Sequence, residues 1–183
     1  MCCDLEPAVL GWLAHPFFAP REFRGWLADP GSLTRRLKRR CNRFSVSPVR
    51  VGFMRPNRDE YSILQLRPGE RAYVREVVLN CNDKAVVFAH SVVAAASLRG
   101  PWAAVTQLGS RPLGEALFSD PRVARGPLQF RRIDARHALS RQAARAGIAL
   151  EGAVWARRSL FTLLEQPLMV TEVFLPALLG ARK

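Results

Sequence analysis

Residues 72–95 read AYVREVVLNCNDKAVVFAHSVVAA. Two runs rich in β-branched and aromatic side chains, Ala72 to Leu79 and Val86 to Ala95, flank the turn-forming Asn82, Asp83 and Lys84, a pattern that predicts an antiparallel hairpin. Further along, Trp155 to Leu164 and Leu168 to Leu175 repeat it around Glu165, Gln166 and Pro167. Upstream, Val46 to Phe53 makes a fifth strand candidate, in which Pro48, lacking an N–H, belongs at an edge or a bulge. Between the hairpins, Gly100 to Gly152 reads as helix and loop, with Arg136 to Ala146 the best helix. Ahead of the strands, Leu33, Leu37, Cys41 and Phe44 fall at helical spacing after Asp29 and Pro30, an N-cap and first-turn proline. Residues 5 to 28 are broken by Pro7, Pro16 and Pro20 into short turns, with Trp12, Phe17, Phe18 and Trp26 as anchors. Helices, strands, helices and strands in that order predict an α+β single domain, with 1–29 an N-terminal helical segment packed on a body formed by 30–183.

Size and composition agree with a real core: the chain has 183 residues, 49% of them hydrophobic. Lys and Arg number 28 against 15 Asp and Glu, a formal net charge of +13 that biases partners towards anions. The charge-free stretch from Ala85 to Leu98 falls well short of the ~20 apolar residues that span a bilayer. Asp4 and Glu6 stand where a secretory signal carries basic residues, so a cytoplasmic protein is expected. Cys2, Cys3, Cys41 and Cys81 form no CxxC pair and have no histidine at metal-ligand spacing. They read as reduced, structural thiols, and no metal site is expected.

Strand parity singles out two charges. Residues two apart share a face, so Arg75 lies with Tyr73, Val77 and Leu79, and Glu172 with Leu168, Val170 and Phe174. A lone buried ion costs several kcal/mol, so each needs a partner or a ligand. One reading pairs Arg75 with Glu172, or with its neighbour Glu76, as a structural salt bridge. The other makes Arg75 a fork for a ligand carboxylate and leaves Glu172 to exchange a proton or hold a hydroxyl, which describes a pocket for a small hydroxylated acid. His15, His90 and His137 are scattered, and His90, with Val86, Phe88 and Val92, reads as a satisfied core histidine. There is no GxSxG, no P-loop and no GxGxxG.

LRPGERAYVREVVL (66–79), HSVVAAASL (90–98), QLGSRPLGEALF (107–118), WARRSLF (155–161) and LMVTEVFLPAL (168–178) together resemble the chorismate lyase family, the bacterial enzymes that make 4-hydroxybenzoate and pyruvate from chorismate for ubiquinone synthesis. The blocks occur in family order over roughly 30–178. The resemblance implies a twisted antiparallel sheet with flanking helices enclosing a ligand cavity, and a lyase reaction without a cofactor. It matches Arg75 to the arginine that meets the ring carboxylate and Glu172 to the glutamate beside the ring hydroxyl, the two catalytic candidates. It adds Leu113 of the PLG block and Leu33, which stands where methionine is common, as substrate contacts. The enolpyruvyl carboxylate needs a second cation, for which Arg157 and Arg158 of the WARRS block are nominated.

Two other classes of function compete. The same fold serves as the small-molecule-sensing domain of bacterial regulators, but the roughly 30 residues before the first block leave too little chain for a DNA-binding domain. A nucleic-acid-binding protein is suggested by the arginines of 35–43 and 122–145, yet aromatic residues are not interleaved with them, Phe44 and Phe130 apart. The expected partners are therefore chorismate and 4-hydroxybenzoate, without stable nucleic acid, and the protein is expected to be a monomer. The basic surface also allows weak association with an anionic membrane.

Overall fold

A computed structural model describes residues 11–180. Seven strands, all paired antiparallel, form one sheet: β1 (Phe44–Met54), β2 (Ala72–Cys81), β3 (Lys84–Ala94), β4 (Ala124–Arg125), β5 (Gln129–Ile133), β6 (Val154–Leu163) and β7 (Gln166–Phe174), in the order β1-β2-β3-β7-β6-β4, with β5 also on β6. All five expected strands are present, and the two expected hairpins are β2–β3 and β6–β7. Pro48 lies on the edge strand at a register shift between Pro48 and Arg50, where its missing N–H interrupts no central ladder. β4 and β5 were not expected. They are two and five residues long, and Arg125, Arg131 and Arg132 break any apolar alternation there.

The helices are α1 (Arg21–Leu27), α2 (Leu33–Arg40), α3 (Leu113–Ser119), α4 (Ala138–Arg145) and α5 (Ala177–Gly180). α2 starts three residues later than expected: its N-cap is Ser32, whose side chain accepts from Arg35 N at 3.3 Å, rather than Asp29. It ends at Arg40 rather than reaching Phe44, because Cys41 is extended and Phe44 opens β1. α4 matches its expectation closely, and His137 caps it by accepting from Leu139 N at 3.2 Å. Of the four expected anchors, Trp12 and Trp26 are buried. Phe17 and Phe18 are 70% and 84% exposed; in the turn between Pro16 and Pro20 it is Ala19 that plugs the core. Cys41 and Cys81, expected as free thiols, are joined in a disulfide, because the end of α2 is delivered beside the end of β2. Cys2 and Cys3 lie outside the described residues.

Both faces of the sheet are apolar at the ends and polar in the middle. On the front face, one cluster packs Trp26, Leu27, Leu33 and Leu37 against Val77, Leu79 and Trp155, and another packs Trp102, Leu113 and Leu117 against Tyr73, Phe161 and Leu168. On the back face, α4 and the 55–66 loop cover the sheet with similar clusters around Phe88 and Leu139 and around Leu64 and Met169. Between the back clusters runs the rung Glu76, His90, Thr171 and Arg158. His90 sits between Glu60 at 3.1 Å and Glu76 at 3.2 Å, all three buried, as a satisfied core histidine should be. Burial pulls its imidazolium down, but the charges and hydrogen bonds of Glu60 and Glu76 outweigh that and push it up to about 10.

Candidate active site

The front-face polar rungs floor a cavity. One rung runs Arg75, Ser91, Val170 and Ser159 across β2, β3, β7 and β6; the next runs Val77, Ala89, Glu172 and Arg157. Ala89 and Ser91, on the strand between Arg75 and Glu172, are small, so the floor is hollow between the two charges. Leu33 and Thr34 of α2 and Leu113, Gly114 and Leu117 of α3 close it from above. The two covering helices meet closely: Lys38 is ion-paired to Glu115, and a Cβ at Gly114 would come within 2.9 Å of Thr34 Oγ1. All four residues singled out in the sequence, Arg75, Glu172, Leu33 and Leu113, therefore line one cavity. A wider hollow beside Phe18, Phe23 and Trp155 holds none of them.

Neither structural salt bridge considered for Arg75 forms. Glu76 faces the other side of the sheet towards His90, and Glu172 is taken by another arginine. Arg75 NH2 donates instead to the carbonyls of Gly109 at 3.0 Å and Arg111 at 2.9 Å, and Arg75 Nε is buried without a partner. Burial holds its guanidinium below the ordinary value, slightly offset by Tyr73. This is a positioned, buried cation whose hydrogen-bonding edge is incompletely used.

Glu172 is not isolated among apolar side chains. Arg157 Nε donates to its Oε2 at 2.5 Å, while Arg157 NH1 donates to the carbonyls of Trp26, Leu27 and Asp29 at 3.1, 3.2 and 2.7 Å, pinning the end of α1 to the sheet. Arg157 and Arg158, nominated for a second carboxylate, are thus both committed and 1% exposed. Arg158 points to the back face, bonded to Asp59 and Gln129 and stacked on Trp12. Sequence reasoning missed Arg125. It lines the cavity from β4, too short a strand to leave a periodic signal.

Comparison with known proteins bears on this cavity. The family model described as Chorismate lyase matches residues 12–182. The chain belongs to the chorismate lyase family. A protein of Thiobacillus denitrificans named "Probable chorismate pyruvate-lyase" is 54% identical over 97% of this chain and 95% of its own. One of the same name from Azoarcus is 49% identical over 92% of both. Among solved structures, the PhnF C-terminal domain superposes with a TM-score of 0.55 at 13% identity, covering 70% of this chain and 80% of that one. The effector domain of PhnF from Mycobacterium smegmatis gives 0.52 at 15% identity, covering 80% and 89%. At such identity these two show a shared fold alone.

Proposed function

We propose that the protein is a chorismate pyruvate-lyase, converting chorismate to 4-hydroxybenzoate and pyruvate. The observation that carries this reading is the convergence of Arg75 and Glu172 on one cavity floored by Ala89 and Ser91, in a chain of the chorismate lyase family. In the reaction the C3–O bond breaks, its electron pair leaving with the enolpyruvate oxygen. The C4 proton is lost and the C4–H pair becomes part of the new aromatic ring; the enol of pyruvate takes up a proton. Aromatisation supplies the driving force, so the residues have chiefly to bind, orient and exclude water.

Arg75 clamps the ring carboxylate with the donors that it does not spend on Gly109 and Arg111. Glu172, ion-paired to Arg157, faces the C4 hydroxyl and assists the proton movement at C4 as an anchored base. Leu33 and Leu113 cover the ring from α2 and α3 and keep water out of the reacting region. The protein acts as a cytoplasmic monomer on soluble chorismate, its basic surface giving at most weak attachment to anionic membrane, and the product enters ubiquinone synthesis.

Purified protein incubated with chorismate and excess chelator should release pyruvate, read by a coupled assay, and 4-hydroxybenzoate, read by chromatography, in equal amounts. Neither product above the uncatalysed rate would sink the reading. A rise in melting temperature with 4-hydroxybenzoate in that case would favour a sensing domain of the same fold.

A further inference from the structure

The charges around the cavity do not balance. Three guanidinium groups, Arg75, Arg125 and Arg157, and one carboxylate, Glu172, line it. Arg157 answers Glu172. That leaves Arg75 and Arg125, and neither has a carboxylate within ion-pair distance among the described residues. Asp29, the acid nearest in sequence to the carbonyls that hold Arg125, is itself paired to Arg36 at 2.9 Å. Cations withdrawn from water without counter-ions are costly, and Arg75, buried, and Arg125, half-buried, in one cavity make a receptor short of two negative charges.

Arg125 is built as firmly as Arg75. Its Nε donates to Ser159 Oγ at 2.8 Å and its NH1 to Pro30 O at 2.7 Å. Its Cζ lies 5.4 Å from the centre of the Phe118 ring and 5.3 Å from that of Phe161. Burial and the neighbouring Arg157 both hold it below its ordinary value, partly offset by Glu172 and Asp29. Ser159, which anchors it, shares a rung with Arg75, separated by Ser91 and Val170. With strands ~4.8 Å apart, the two anchoring positions stand roughly 14 Å apart on opposite sides of the floor, and Glu172 lies on the adjacent rung between them.

We propose that Arg125 receives a second carboxylate, so that the cavity is a receptor for dianions in which Arg75 holds one end of the substrate and Arg125 the other. This rests on the lyase reading for the identity of the substrate, whose enolpyruvyl arm carries the second carboxylate, but not for the binding of a dianion. It also gives the site a means of telling substrate from product: 4-hydroxybenzoate has one carboxylate and leaves Arg125 unanswered.

The test compares two stable probes by calorimetry, 4-hydroxybenzoate and the dianion 3-(carboxymethoxy)-4-hydroxybenzoate, on the wild type, Arg125→Gln and Arg125→Lys. Loss of one charge-assisted fork should weaken the dianion about 30-fold in Arg125→Gln and change the monoanion less than about 3-fold. Arg125→Lys, which keeps the charge and fits the same space, should fall between. Equal weakening of both probes would make Arg125 structural and overturn the proposal, as would dianion binding unchanged in both variants. Wild-type protein that prefers the dianion without turning over chorismate would uphold the proposal and sink the lyase reading; turnover with no loss of dianion binding in the variants would do the reverse.

Discussion

Arg75 and Glu172 share a cavity without sharing a bond, so their substitutions should separate. Arg75→Ala removes the ring-carboxylate clamp and should weaken 4-hydroxybenzoate binding by about 100-fold, the cost of a charge-assisted pair. Glu172→Gln keeps the shape and a hydrogen-bond acceptor but lacks the base; it should lower kcat about 100-fold with much less effect on product affinity. Steady-state kinetics beside calorimetric titration would show the split, and matched losses in both parameters would refute the assigned roles. On the back face, His90 carries a stability prediction. Its folded value, about 10, lies above the ordinary 6.5 of an unfolded chain. The protonated triad therefore stabilises fully below about pH 6.5, and that contribution is lost as pH rises towards 10. Melting temperature should fall across that window, and His90→Gln should start lower at pH 6 and show a flatter profile. Parallel profiles for the two proteins would contradict the Glu60–His90–Glu76 arrangement.

The elements show where the pattern could be read and where it could not. Strand parity placed Arg75 and Glu172 each on a face with apolar neighbours, and the register of β2, β3 and β7 makes it the same face of the sheet. What parity cannot give is which strands become neighbours. Arg157 meets Glu172 only because β6 and β7 pair in that register, and Arg125 reaches the floor only because β4, two residues long, lies against β6. The family blocks, not periodicity, pointed to Leu33 and Leu113. The disulfide was missed because α2 and β2 are distant in sequence, with 40 positions separating the cysteines. It ties the end of the helix that covers the cavity to the sheet, and by chain entropy a loop of that length stabilises by about 4 kcal/mol. Denatured protein should show two more thiols after reduction than before, and Cys41→Ser should melt several degrees lower; an unchanged thiol count would remove the bond. The second hairpin turn invites improvement. Leu164 and Glu165 both adopt positive φ, 47° and 63°, where the first hairpin uses the better suited Asn82 and Asp83. Leu164 is 69% exposed and packs on little, so replacing the pair by Asn-Gly should raise the melting temperature by about 3–6 °C, and a lower value would show that the strained turn is held by contacts that the exposure does not reveal.

For the whole molecule, the excess of positive charge and the charge-deficient cavity belong to one electrostatic argument. A net charge of +13 gives a long-range field that draws in an anion, and a dianion is drawn about twice as strongly as a monoanion. The field is screened over about 10 Å at 0.1 M salt and about 30 Å at 0.01 M. Inside the cavity Arg75 and Arg125 lie under α2 and α3, where salt screens far less. Encounter and bound-state chemistry should therefore respond differently to ionic strength. Raising sodium chloride from about 0.01 to 0.5 M should lower kcat/KM for chorismate by about 10-fold, while kcat changes less than about 2-fold. Neutralising exposed arginines that do not line the cavity, such as Arg35 and Arg39 of α2, should reduce the salt slope without altering kcat. If kcat fell with salt as steeply as kcat/KM, the salt would be acting on the buried charges themselves, and the separation between a steering surface and a shielded receptor would be wrong.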